Sequence, residues 1–347
     1  MAYTTINKSS LHMNTKLYTG TGSSNSVTGV GFQPDWVWIK DRGSNANHHL
    51  FDAVRGVTKD IISNSSNAQG TDAQKLTAFG ADGFTVGTNG NVNGSSANMV
   101  SWNWKANGQG SANTGGSINS TYTSANVAAG FSIVQWEGTG SAGTIAHGLD
   151  VAPTMVIIKN LDAGQSWRVG HFWADFQRYL TLNGTGTQAL SSAMFNNTTP
   201  TASVFSVGTD GSTNASGETM IAYCFSEKVG YSKINYYQGN GNANGTFIYT
   251  GFRPKYVLIK GSVSGSGDAA QNWEVFDNKR DGYNGANDTI APNNSSAESA
   301  EDRVDLVSNG FKIRVNSDGV NDNNSYYIYY AVGQTLVGSN NVPCTAR

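Results

Sequence analysis

One short sequence occurs three times and decides the fold of the chain: PDWVWIK at 34–40, PTMVIIK at 153–159 and PKYVLIK at 254–260. Pro, Val, Ile and Lys occupy the same offsets in all three copies. In the first copy, Val37 and Ile39 would point to one face of a strand and the two tryptophans to the other. A segment that is apolar on both faces indicates a central strand covered on both sides. The proline suits the first position, because it has no N–H to give to a sheet.

The sequence around these copies repeats as well. An aromatic-glycine signature precedes each copy, beginning at Tyr18, Trp136 and Tyr237. An aromatic segment, an Asn/Ser-rich loop, a glycine-flanked strand and an apolar-aromatic strand follow in the same order. Repetition at this period predicts a tandem of structural units. We therefore expect three homologous modules: module 1 at 1–108, module 2 at 109–232 and module 3 at 233–347.

The joins between modules differ in composition. The stretch 107–126 is rich in Gly, Ser, Asn and Thr, and it is interpreted as a linker at the start of module 2. Modules 2 and 3 have no such stretch between them, so we expect these two to pack more tightly together.

Each module is predicted to be all-β. Short runs rich in Val, Ile, Thr and aromatic residues alternate with Gly, Asn, Asp and Ser clusters, as strands alternate with tight turns. A unit of about 100 residues with many short strands is typical of a β-sandwich, here of a jelly-roll or lectin-like kind. The clearest helix candidate is short and covers 72–79.

Composition excludes several functional classes. The net charge is −2 and 13% of residues are charged, whereas a general nucleic-acid binder needs a basic surface. No apolar run approaches the length of a membrane span, so we expect no membrane insertion. The two cysteines, Cys224 and Cys344, are too few for a disulfide scaffold or a four-cysteine zinc site. Both are expected to be free thiols, with Cys224 buried.

Several segments of module 1 resemble a family. GFQPDWVWIKDR, HHLFDAVRGVTKDIISN, FGADGFTVGT and VSWNWKA are similar to a domain of unknown function in marine bacteriophage proteins, described as tail-fibre or virion structural proteins. The resemblance extends over essentially the whole chain. Module 2 departs from it, because the Val-Arg-Gly that follows Phe51-Asp52 in module 1 is missing there. Module 3 keeps Phe276-Asp277 and has Asn-Lys-Arg after it. If the arginine makes a specific contact, the three modules need not share it.

Three tryptophans are the candidate binding residues. Trp167, Trp173 and Trp273 lie in the segments that follow the core strands, and we expect them at the surface. Exposed tryptophan stacks on sugar rings and anchors protein interfaces, so a glycan or a partner is the expected contact. The tryptophans within strands are expected in the core instead: Trp36, Trp38, Trp102 and Trp104.

No catalytic residue, cofactor or metal is predicted. A glycosidase needs two carboxylates at a defined separation, and the 24 acidic residues are scattered. Lys40, Lys159 and Lys260 end the three core strands. They could form a ligand-binding ring, but we expect their amines to reach solvent while their stems cover apolar surface.

These observations favour a non-enzymatic virion protein, associated with the tail or its fibre, that contacts a glycan or protein receptor on the host surface. Its expected partners are other virion proteins and further copies of itself, a trimer being one option. Two alternatives stay open: a capsid decoration or head-appendage protein, and a polysaccharide depolymerase.

Overall fold

The computed structural model describes residues 4–265, 271–282 and 288–336. Antiparallel strands dominate these ranges, and each of three large sheets has a smaller sheet from the same module. The predicted all-β sandwich class is confirmed. Within the described ranges, no helix is long and apolar enough to cross a membrane. Cys224 is buried and free, as predicted, and Cys344 lies outside the described residues.

The elements follow in chain order. Those of module 1 are β1 (Met13–Thr19), β2 (Asn25–Thr28), β3 (Trp36–Asp41), β4 (His49–Asp52), β5 (Lys59–Ile62), β6 (Gly70–Thr71), β7 (Leu76–Gly80), β8 (Gly83–Val86), α1 (Gly90–Asn93) and β9 (Asn98–Trp104). Those of module 2 are β10 (Ser111–Asn113), β11 (Ser120–Asn126), β12 (Phe131–Glu137), β13 (Gly143–Ala146), β14 (Met155–Asn160), β15 (Arg168–His171), β16 (Arg178–Thr181), β17 (Ala189–Leu190), α2 (Ser192–Phe195), β18 (Val204–Val207), α3 (Gly211–Asn214) and β19 (Thr219–Phe225). Those of module 3 are β20 (Ser232–Gln238), β21 (Phe247–Tyr249), β22 (Pro254–Val263), β23 (Trp273–Asp277), β24 (Val304–Val307), β25 (Gly310–Ile313) and β26 (Tyr326–Gly333). Two short 3-10 helices cover Ser9–Leu11 and Phe172–Ala174.

The three large sheets share one strand order. In each, the repeated core strand lies between the module's last strand and its own hairpin partner: β9-β3-β4, β19-β14-β15 and β26-β22-β23. In each module, the aromatic-glycine signature begins at the end of one strand: β1, β12 or β20. That strand pairs with the other edge of the module's last strand. The smaller sheets have the orders β2-β8-β7, β13-β18 and β21-β25-β24. The repeated sequence thus corresponds to a repeated pairing pattern.

Two local predictions are wrong. The stretch 107–126 is not a linker over most of its length, because β10 and β11 extend the large sheet of module 2 at its edge. The segment 72–79 is not a helix, because β7 pairs there with β8 to bury Leu76. Tertiary pairing overrides weak local propensity in both cases.

Alternation along each core strand separates two kinds of core. In β3, Val37 and Ile39 enter the core of module 1, whereas Trp36 and Trp38 enter a core shared by all three modules. The central strands β14 and β22 alternate in the same way. Each large apolar side chain buried in this shared core contributes about 1.5–3 kcal/mol of transfer free energy. Module 1 is therefore packed on both other modules.

A repeated backbone contact closes the modules into a ring. The amide of Gln69 donates to the carbonyl of Leu161 at the 1–2 boundary, at 2.8 Å. Gln188 donates to Ser262 at the 2–3 boundary, at 3.0 Å, and Glu298 donates to Arg42 at the 3–1 boundary, at 2.8 Å. Each acceptor lies two residues after a core-strand lysine. The three boundaries are therefore built on the same contact.

The aromatic-glycine signature has a structural role. A Cβ at Gly20, Gly138 or Gly239 would lie 2.0–2.2 Å from a backbone oxygen of the facing loop, so only glycine fits. The next residue's amide donates to the side-chain oxygen of a buried asparagine in every module: Asn93, Asn214 and Asn321. The signature thus holds β1, β12 or β20 to the loop that precedes the last strand of the same module.

Candidate functional site

A cleft of about 630 Å³ opens at the 2–3 boundary. It is lined by two aromatic rings, one arginine, one amide, three hydroxyls and one aliphatic side chain: Trp173, Tyr326, Arg178, Gln188, Thr187, Ser262, Ser264 and Val263. Module 2 supplies one wall and module 3 the other. Aromatic faces beside a few polar groups are typical of a small-molecule or sugar site.

The aromatic wall is a stack of three rings. Trp173 packs on Tyr236 with centroids 5.0 Å apart and an interplanar angle of 27°, and on Tyr326 at 5.3 Å and 28°. The 3-10 helix after β15 carries Trp173, while the two tyrosines lie on paired strands of module 3. Because both neighbours come from a sheet, the partly exposed indole is held in place before any ligand arrives, which reduces the entropy cost of binding.

A buried histidine supports this wall. His171 ends β15 and stacks on Trp173 with centroids 6.3 Å apart. Burial lowers the pKa of its imidazole to about 4. The imidazole is therefore neutral at and above neutral pH. It acts as a flat apolar support for the indole.

The 1–2 boundary explains why the 2–3 boundary is open. There, Asp52 holds Arg55 through a contact of 2.6 Å, with both side chains buried. Within module 1 the guanidinium donates to the Gln69 side chain at 3.2 Å. The Tyr223 hydroxyl of module 2 donates across the boundary to Asp52 at 2.7 Å. A continuous polar network therefore fills this position, and the cleft here is about 340 Å³.

The 3–1 boundary is sealed in the same way. Asp277 holds Arg280 at 2.7 Å, and Arg280 donates to Glu298 at 2.7 Å. Glu298 also pairs with Arg42 of module 1 at 2.6 Å, and the Trp102 indole donates to Asp277 at 3.0 Å.

Module 2 lacks this seal. His171 stands where the other modules have aspartate, and Ala174 stands where they have arginine. The Arg55 guanidinium that contacts Gln69 therefore has no equivalent at position 174, and the Gln188 side-chain carbonyl accepts from the Ser262 hydroxyl at 3.2 Å instead. The sequence departure noted for module 2 thus coincides with the larger of the two clefts described at the 1–2 and 2–3 boundaries.

The structure separates the three predicted tryptophans. Trp173 lines the cleft, whereas Trp167 and Trp273 are 0% and 1% exposed, so their predicted surface position is wrong. The Trp167 indole donates to the Ile62 carbonyl of module 1, and Trp273 donates to the Thr181 carbonyl of module 2. Trp167 immediately precedes β15 and Trp273 begins β23, and in each case the neighbouring module covers the indole. The predicted core positions of Trp36, Trp38, Trp102 and Trp104 are confirmed.

The three strand-end lysines do not reach solvent, so that prediction is wrong. Lys40, Lys159 and Lys260 are each 0% exposed, and their amines donate to backbone carbonyls. Lys159 also donates to Ser66 of module 1 at 3.2 Å, and Lys260 donates to Thr185 of module 2 at 2.6 Å. Burial lowers the pKa of Lys40 and Lys159 to about 8 and that of Lys260 to about 7. These lysines are structural groups at the boundaries.

Acidic side chains gather at two places that sequence reasoning missed. Glu274 and Glu301 share Arg303 beside a cleft of about 300 Å³ in module 3. Burial raises the pKa of Glu274 to about 7, although the Arg303 charge opposes this. No sequence signal marked this pair, because its members are far apart in the chain.

At the second place, carboxylate oxygens of Asp281, Asp288 and Glu298 lie within 4.8 Å of one another. Glu298 is already paired with Arg42 and Arg280, so these arginines balance the charge of the group.

Comparison with known proteins gives a family and no function. The family model named Domain of unknown function (DUF7483) matches residues 8–335. No curated protein and no solved structure matches the chain. The matched region includes every element of the three sheets and the whole 2–3 cleft. The chain therefore belongs to the family defined by this domain of unknown function.

Proposed function

We propose that this chain is a non-enzymatic virion protein that binds a carbohydrate of the host surface through the 2–3 cleft. The observation that carries the proposal is that Trp173 of module 2 and Tyr326 of module 3 both line that cleft. The resemblance of the sequence to phage virion proteins supports the virion context. The all-β ring supports a rigid binding module.

The chemistry of the cleft fits a sugar. The C–H face of a pyranose ring stacks on an aromatic face, and its hydroxyls need donors and acceptors around the rim. Gln188 supplies an amide, and Thr187, Ser262 and Ser264 supply hydroxyls on the same cleft. A pre-formed cleft of this kind orients a ligand with few polar contacts.

The test is a glycan array followed by titration calorimetry of the strongest hit. Trp173→Ala should weaken binding by about 30-fold, the effect of removing an aromatic anchor of about 2 kcal/mol. Tyr249→Ala is the matched control, since Tyr249 is 62% exposed on β21 and does not line the cleft. Equal affinity of the Trp173 variant and the wild type would overturn the assignment of the site.

Cryo-electron microscopy of the virion tests the host-contact role. Density at a distal tail position, with the cleft facing outward, is the expected result. Density spread over the capsid lattice would favour a decoration or head-appendage protein. No copy in the particle would contradict the virion assignment.

One observation favours a second candidate, a polysaccharide depolymerase. Glu274 is 2% exposed, lies beside the module 3 cleft and has one carboxyl oxygen with no hydrogen-bond partner among the described residues. A protonated carboxyl near neutral pH can act as a general acid, with Glu301 as the second carboxylate. Chain-length analysis of host polysaccharide after incubation, for the wild type and Glu274→Gln, tests it. Equal products would rule out this role for Glu274.

A further inference from the structure

We infer that the 2–3 cleft selects an acidic glycan, one that carries uronate or sulfate groups. This inference rests on the proposed carbohydrate function. It comes from comparing the charged side chains of two clefts that occupy the same place in the ring.

The 2–3 cleft has one charged side chain among its described lining residues, and it is Arg178. Arg178 begins β16 and is exposed, so its guanidinium is available to a ligand that occupies the cleft beside Trp173. Guanidinium groups bind carboxylate and sulfate oxygens through paired hydrogen bonds, and such charge-assisted bonds are about twice as strong as neutral ones.

The 1–2 cleft has the opposite character. Its lining includes Asp162, the third residue after Lys159. In the 2–3 cleft the third residue after Lys260 is Val263, so the acidic group is absent from this position. The arginine of the 1–2 cleft, Arg55, is already neutralised by Asp52. Of the two clefts, the 2–3 cleft is therefore the one suited to an anion.

Salt does not remove this preference. At the ionic strength of seawater, screening acts beyond roughly 3–4 Å, so long-range attraction is weak. A direct hydrogen bond between Arg178 and an anionic group is shorter than that distance. Recognition then depends on contact inside the cleft and not on the net charge of −2.

The probes are two matched pairs: an oligogalacturonate with its fully methyl-esterified form, and a carrageenan oligosaccharide before and after desulfation. Calorimetry should detect binding of at least one charged form and affinity at least tenfold lower for its neutral partner. Arg178→Gln should weaken binding of the charged form by about tenfold or more, and Arg178→Lys should weaken it less, because lysine keeps the charge but not the paired donors.

Exchange of the equivalent residues sharpens the test. Val263→Asp should weaken the same binding by at least tenfold, whereas Asp162→Val in the 1–2 cleft should leave it unchanged. If the charged and neutral forms bound with equal affinity, and Trp173→Ala abolished that binding, the acidic-glycan inference would be overturned. The proposed carbohydrate function would then remain. No binding of any probe or of any array glycan would overturn both.

Discussion

The 1–2 and 2–3 boundaries have the same backbone contact and opposite side-chain chemistry. At both, a glutamine amide donates to the second carbonyl after a core-strand lysine, in Leu161 or Ser262. At the 1–2 boundary a buried Asp52–Arg55 pair then fills the space, whereas His171 and Ala174 leave it open at the 2–3 boundary. The contact that closes the ring is thus separate from the side chains that decide whether a boundary can bind a ligand.

This difference identifies which repeated residues are structural. Residues found in all three copies, such as the core-strand lysines and the glycines of the signature, hold backbone in place. The residues equivalent to Trp173 in modules 1 and 3 are Val54 and Lys279, so this tryptophan is not part of the repeat. Among the three candidate tryptophans, Trp173 lines the 2–3 cleft. In this chain, departure from the repeat is the better guide to a site.

The largest expected effect breaks the sealed boundary. Asp52→Ala should lower the free energy of unfolding by about 3–5 kcal/mol, because Arg55 is left buried without its partner. His171→Ala at the equivalent position leaves no charge behind and should cost clearly less. Urea unfolding of both variants measures the difference.

As a surface control, Asp305→Ala breaks a partly exposed pair with Arg314 and should lower the free energy of unfolding by at most about 1 kcal/mol. Equal losses for Asp52→Ala and His171→Ala would contradict the proposed seal.

The second effect concerns the lysines that all boundaries share. Their pKa values are about 7–8 when folded and about 10.5 when unfolded. Between pH 7 and 10 the unfolded chain therefore binds more protons, and the free energy of unfolding rises with pH. We expect the melting temperature to rise by about 5 °C from pH 7 to 9.5. For a chain of this length, this rise corresponds to an increase of a few kcal/mol in the free energy of unfolding.

Above about pH 10 the melting temperature should fall as pH rises. Burial raises the pKa of tyrosines such as Tyr329 and Tyr330, so the unfolded chain loses these protons before the folded chain does. The control for the lysine contribution is Lys260→Met. Below pH 10, this variant should show a smaller rise of melting temperature with pH than the wild type, whether or not its melting temperature at pH 7 differs. Calorimetric scans at several pH values check both statements. A melting temperature that falls from pH 7 to 9.5 would show that these amines remain charged when buried.

The smallest expected change in stability comes from rebuilding the seal where it is missing. The double variant His171→Asp, Ala174→Arg should place a guanidinium against Gln188, as Arg55 is placed against Gln69. A buried ion pair of this kind roughly breaks even, so the free energy of unfolding should change by about 1 kcal/mol or less. Carbohydrate binding should be lost, because the arginine occupies the cleft. Calorimetric titration checks this, and retained affinity would place the ligand elsewhere. The single variant Ala174→Arg should be strongly destabilised, since its charge has no partner.

Much of the architecture could be predicted from local pattern. The copies of the core strand, their two apolar faces and the order of the surrounding segments all indicate repeated sheets with covered central strands. The helix at 72–79 and the linker at 107–126 failed, because edge strands such as β7 and β10 have weak local signals and form through pairing. Of the candidate tryptophans, Trp173 is partly exposed and lines a cleft, whereas Trp167 and Trp273 are buried.

The sequence by itself determined the all-β class, the repetition and the missing arginine of module 2, because periodicity and internal comparison can be read along the chain. Only the tertiary structure decided what the outer face of each core strand touches. The sequence predicted that Trp36 is buried, but not that Tyr223 of module 2 packs on it. It placed the Lys159 amine in solvent, whereas this amine donates to the Ser66 carbonyl of module 1. Burial is a property of contacts between distant segments, so a pattern of period two cannot distinguish a solvent-facing side from one that faces another module. The 2–3 cleft has the same origin, since its walls are 60 or more residues apart in sequence and meet only when the ring closes.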